Sequence, residues 1–125
     1  MKFTLESPLL TTVRQVSDTG ILIGDQTYPG PVALTSAGVI DDWPAVPVES
    51  LRVDDLATLL ATGPELIVVG TGSRQLLPDR ELMFAMARIG VGLEVMDTRA
   101  AARTFNVLIS EDRSVAAVLY PASAA

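Results

Sequence analysis

The string Gly70-Thr71-Gly72-Ser73-Arg74-Gln75 is where this sequence comes nearest to a ligand loop. Glycines let backbone approach a bound group closely, and a guanidinium beside them can clamp an anion. The string follows Leu66-Ile67-Val68-Val69, an apolar run of the kind buried on both faces of a parallel sheet. Open α/β sheets hold their ligands beyond the carboxyl ends of such strands. The spacing is nevertheless not that of a dinucleotide fingerprint, because Gln75 stands where the third glycine belongs, and no Gly-Lys-Ser/Thr follows to make a P-loop. The next helical pattern also begins late, near Pro78. The stretch 70–75 therefore reads first as a tight structural turn and second as an anion-binding loop.

A second group lies downstream, in Asp97-Thr98 and Arg103-Thr104-Phe105-Asn106. Asp97 is placed to cap a helix, its carboxylate accepting the free amides of the first turn. Arg103 and Asn106, three residues apart, share a helical face. They reach Arg74 or Gln75 if strands 66–69 and 92–96 are neighbours. The competing expectation lays the Arg103 stem on the sheet and pairs its head with a nearby carboxylate. Gly70, Thr71, Gly72, Arg74, Gln75, Asp97, Thr98, Arg103 and Asn106 together make the candidate ligand or partner surface.

No catalytic residues can be assigned. The sequence has no His and no Cys, which removes the Ser-His-Asp triad, thiol chemistry and the usual zinc sites. A magnesium site made of carboxylates alone stays conceivable. Yet Asp41-Asp42 and Asp54-Asp55 are adjacent pairs, and neighbours in sequence point apart. Neither a metal nor a cofactor is expected.

The elements that would carry these residues change character near residue 50. Before it, short β segments at 11–16, 20–23, 26–28, 32–34 and 39–40 are separated by turn residues such as Asp18-Thr19-Gly20 and Ser36-Ala37-Gly38. Trp43 is expected as a large core plug. After it, Val53, Leu56, Leu59 and Leu60 fall at helical spacing, and Gly63-Pro64 stops that helix. A helix over 78–89 presents Leu82, Ala85, Met86 and Ile89 as one apolar stripe and ends at Gly90. Met83 and Phe84 fall outside the stripe. Burial under a second layer is the expected outcome, with exposure to a partner as the alternative. A strand over 92–96, a helix to about 108 and a strand over 115–120 complete the order α-β-α-β-α-β. The fold class is α/β: one small three-layer domain over 1–125, with a β-rich part at 1–50 and an α/β part at 51–121 around a mixed, largely parallel sheet. The tail 122–125 is expected to fray.

The net charge of −6, with Lys2 the only lysine and eight scattered arginines, argues against nucleic acid, which needs a concentrated basic footprint. The first residues do not read as a signal peptide and no apolar run approaches the ~20 residues of a membrane span. The expected location is the cytoplasm.

The strings 66–72, 92–98 and 103–108, with Gln75 between them, resemble the complex I assembly factor 3-like family. It joins small bacterial and archaeal proteins to a mitochondrial assembly factor for NADH:ubiquinone oxidoreductase. The resemblance implies a compact three-layer fold and a non-enzymatic role in binding partner proteins, respiratory-complex components among them. Ala102 stands where some relatives place a cysteine, so thiol chemistry is no shared property. The leading expectation is thus a non-catalytic protein-binding or assembly-factor-like module, with Met83 and Phe84 as the apolar contact and a homodimer among the partnerships open to it. The alternative is a small anionic-ligand binder, or an enzyme, built on the turn at 70–75.

Overall fold

The computed structural model describes residues 11–122. Strands β1 (Val13–Ser17), β2 (Gly20–Ile23) and β3 (Gln26–Tyr28) form a small antiparallel sheet of their own. Strands β4 (Val32–Thr35), β5 (Gly38–Ile40), β6 (Leu66–Gly70), β7 (Gly92–Met96) and β8 (Val115–Leu119) form a five-stranded mixed sheet in the order β5-β4-β8-β6-β7. β8, β6 and β7 run parallel, and β4 and β5 add antiparallel at one edge. The N-terminal β part is therefore divided, two strands extending the main sheet and three covering it.

The two crossovers in the parallel part run in opposite directions across the sheet. The first steps from β6 outward to β7, and the second returns from β7 over β6 to β8. Right-handed crossovers moving in opposite senses place their helices on opposite faces. Helix α2 (Arg80–Ile89) accordingly buries Leu82 and Met86 with Ile67 and Val69, whereas α3 (Thr98–Ser110) buries Ala101 and Phe105 with Val68. Alternation along the strands thus divides the core into two clusters.

The α2 side is completed by a 3-10 turn, Val48–Ser50, by the 3-10 segment Val53–Leu56 and by α1 (Ala57–Leu60). Only one α-helical turn forms where the spacing of Val53, Leu56, Leu59 and Leu60 predicts a whole helix, though Leu56 and Leu59 are buried as the pattern requires. Trp43 is buried in this cluster and meets Tyr120 edge-on, with ring centroids 6.3 Å apart. The small sheet lies against α3 on the other side, burying Val13, Val16, Ile21 and Ile23.

Candidate functional site

The end of β6 and the end of β7 are the places where the chain leaves the sheet toward opposite faces. That is the crevice in which open α/β sheets take ligands. Here the protein fills it with its own chain. Thr98, fully buried at the start of α3, donates its hydroxyl proton to the Tyr120 carbonyl at 2.6 Å and accepts from the Gly72 N–H at 2.7 Å. Its own N–H donates to the Gly72 carbonyl at 2.9 Å. The Thr71 hydroxyl bonds to the Arg74 carbonyl at 2.7 Å and accepts from the Leu76 N–H at 3.0 Å.

Three successive amides of the turn, those of Thr71, Gly72 and Ser73, donate to Met96, to the Thr98 hydroxyl and to Ala122. These are the groups that would have to point at an anion, and they are engaged within the protein. Two glycines make the approach feasible. A Cβ on Gly70 would lie 2.8 Å from the Thr98 Cα, and Gly72 has φ +106°.

Gln75 extends its side-chain amide to the Val95 carbonyl at 2.8 Å. Because β7 is an edge strand, that bond covers a carbonyl otherwise turned outward from the ladder. Arg74 is exposed, and its carbonyl rather than its guanidinium takes part in the turn. Asp97 accepts from the Ala100 N–H at 3.0 Å as the N-cap of α3. Asp79 caps α2 in the same manner by accepting from Glu81, so that helix starts at Arg80, two residues after Pro78. Ala122, the first residue of the tail expected to fray, is buried and accepts from Ser73 at 3.2 Å, while 123–125 lie outside the described residues.

Arg103 and Asn106 do share a face of α3, but that face looks at β1 and not at the turn. Asn106 accepts from the Val13 N–H at 3.0 Å and donates to the Val13 carbonyl at 2.9 Å, a two-point clamp on the edge of the small sheet. Arg103 is exposed beside a groove between α3 and β1, shared with Arg14 and Arg99. The sequence reading missed this grouping. Its signals were the spacing of Arg99 and Arg103 by four on one helix, and the run Val13-Arg14-Gln15-Val16, whose two central polar residues break strand alternation. Among the described residues no group of three metal-capable side chains gathers.

On the opposite face of the sheet, α2 corrects one expectation. Met83 and Phe84 are not covered by a second layer: they are 41% and 55% exposed, and Leu77 just before the helix is 76% exposed. At 100° per residue Phe84 stands about 200° from the buried Leu82, so its ring points away from the core. Ile89, assigned to the buried stripe, is 52% exposed because it sits in the last turn before Gly90.

One group in the core is electrostatically unusual. The Tyr120 phenol donates to the Val46 carbonyl at 2.6 Å, and burial, assisted by the negative charges of Asp55 and Glu49, holds its pKa well above the ordinary value. The neutral phenol is therefore a structural donor here.

Comparison with known proteins now fixes the kinship. The chain is 32% identical over 93 residues to the "13 kDa major membrane protein" of Francisella tularensis, spanning 74% of this chain and 76% of that one. It is 32% identical over 111 residues to "NADH dehydrogenase (ubiquinone) 1 alpha subcomplex assembly factor 3" of Xenopus tropicalis, spanning 87% of this chain but only 60% of that longer protein. A solution structure from Bordetella pertussis, described as a Mth938-like domain, superposes with a TM-score of 0.76 at 29% identity, over 98% of this chain and 90% of that one. No helix among the described residues is long and apolar enough to cross a membrane. The model of a family described as "Protein of unknown function (DUF498/DUF598)" matches residues 13–120, and the chain belongs to that family.

Proposed function

We propose that this protein is a non-catalytic protein-binding module of the assembly-factor kind, and that it docks partners through the outer face of α2. The observation that carries this reading is the outward ring of Phe84, with Met83 and Leu77 also exposed nearby in sequence. Large apolar side chains held in solvent by a well-packed helix are a feature of contact surfaces. The flanking Arg80 and Arg88, one turn to either side of Phe84, supply a polar rim of the kind that surrounds such contacts. Relatives named as assembly factors for NADH dehydrogenase support a protein partner, and respiratory-complex components are the first class to test. A second copy of the chain is the other partner to test.

The experiment compares the wild type with a Met83→Glu/Phe84→Glu variant as bait in the native host, after chemical cross-linking. A specific protein held by the wild type and lost from the variant is the expected result. Equal recovery by the two baits would refute docking through this face. Sedimentation equilibrium of both proteins distinguishes a self-contact from a foreign partner.

A further inference from the structure

The face of α3 opposite the sheet meets β1 along a groove of about 470 Å³, and among the described residues its lining contains Arg14, Arg99 and Arg103 but no carboxylate. The chain as a whole carries −6, so three guanidinia gathered in one groove run against its overall charge. Like charges brought together repel unless a counter-charge lies between them. None of the three forms an ion pair among the described residues. Arg14 donates to the Gly24 carbonyl at 3.0 Å, which steadies its head and, among the described residues, engages one of its five donors. Arg99 and Arg103, one turn apart, stand on the same side of α3.

A second feature aims these groups. Between Val13 and Gln15 strand β1 advances two residues while β2 advances one, so the ladder carries a bulge at Arg14. A bulge re-aims a side chain, and it is why Arg14 and Gln15 are both exposed between the buried Val13 and Val16. The Asn106 clamp grips Val13, the residue before the bulge, and so fixes the bulge against α3. Ala102 also lines the groove, and its lone methyl leaves room that a longer side chain would occupy.

We infer that this groove binds a phosphate-bearing ligand. Planar guanidinium forks match phosphate oxygens two at a time, and the volume lies in the ~300–1,000 Å³ range of small-ligand sites. The ligand is either a free phosphorylated small molecule or the headgroup of an anionic lipid, since both present the same oxygens. The inference goes beyond the docking role, because the groove lies on the α3 side of the sheet and the Phe84 face on the α2 side.

The test titrates the protein with pyrophosphate, at ionic strength held constant with chloride, while backbone amide resonances are followed. In parallel, the protein is sedimented with vesicles containing phosphatidylglycerol and with vesicles of phosphatidylcholine alone. Saturable shifts confined to β1 and the first half of α3, about tenfold weaker in Arg99→Gln or Arg103→Gln and unchanged in Arg74→Gln, are expected for a free phosphate ligand. Sedimentation with the phosphatidylglycerol vesicles alone, weakened in the same two variants, identifies a headgroup instead. No saturable response to either probe overturns the inference, as does a response that the two arginine variants leave intact. Ala102→Leu fills the groove without changing charge. If that variant keeps a folded amide spectrum and still binds like the wild type, the groove is not the site.

Discussion

The turn at 70–75 and the groove between α3 and β1 both bring polar groups together around α3, but they use them differently. At the turn, donors meet acceptors of the same chain: Thr71, Gly72, Ser73, Gln75 and Thr98 are all hydrogen-bonded internally. At the groove, Arg14 makes one guanidinium bond and Asn106 clamps Val13, while among the described residues Arg99 and Arg103 stand exposed without an ion pair. A glycine-rich sequence signature thus marks the better-sealed region, while the open region carries no recognisable motif. Buried polar groups left without partners are costly, so a chain that folds stably seals its crevices unless function keeps them open.

This contrast can be broken or sharpened by substitution. The largest effect is expected at Gly70→Ala, whose new methyl would be driven against the Thr98 Cα and the Ala101 side chain. Overpacking of this kind should cost about 3 kcal/mol, measured by urea unfolding, with no effect on any groove ligand. Thr98→Val keeps the shape but strands the Gly72 N–H and the Tyr120 carbonyl. A loss of about 2 kcal/mol is expected, and a loss below the error of the measurement would mean that the crevice is looser than its bonds imply.

Tyr120→Phe removes the bond to Val46 and should cost about 1 kcal/mol at neutral pH. It also carries a pH signature. The folded-state phenol titrates above the unfolded one, so its contribution is whole below about pH 10 and is lost as pH rises through the folded value. Stability of the wild type should therefore fall more steeply in alkali than that of Tyr120→Phe.

Phe84→Glu, in contrast, should change stability by no more than about 0.5 kcal/mol while abolishing partner recovery, because the ring touches solvent and not the core. The smallest effect belongs to Glu65→Gln. The hydrogen bond from Arg113 at 2.7 Å holds the Glu65 carboxyl below its ordinary value. That contribution is present above the unfolded pKa and lost as pH falls through the folded one. Both groups are solvated, so acid unfolding curves of the variant and the wild type should coincide.

Much of the architecture was legible because it rests on local patterns. The buried run at 66–69, the αL glycine at Gly90 and the capping Asp97 each carry their instruction within a few residues. The site was less legible, because its geometry depends on which elements become neighbours. Asn106 reaches Val13 across 93 residues, and no periodicity encodes that meeting. The exposure of Phe84 was hidden for a related reason: one apolar residue on a helix looks alike whether or not a further layer exists to cover it. The bulge at Arg14 left a trace in the broken alternation of β1, but the trace gains meaning only once α3 is seen beside it.

The placement of β8 has a consequence for how the molecule is made. It is the latest of the strands in sequence, yet it lies between β4 and β6 with all five of its residues buried. Until it is available, the β4–β5 hairpin and the β6–β7 pair have no edge in common, and the two halves of the sheet cannot close on each other. Synthesis from the amino terminus therefore leaves two hydrophobic half-sheets waiting for residues 115–119. Long-range pairing of this kind is slow to form, so the interval before β8 arrives is the stage at which a nascent chain is most in need of a chaperone.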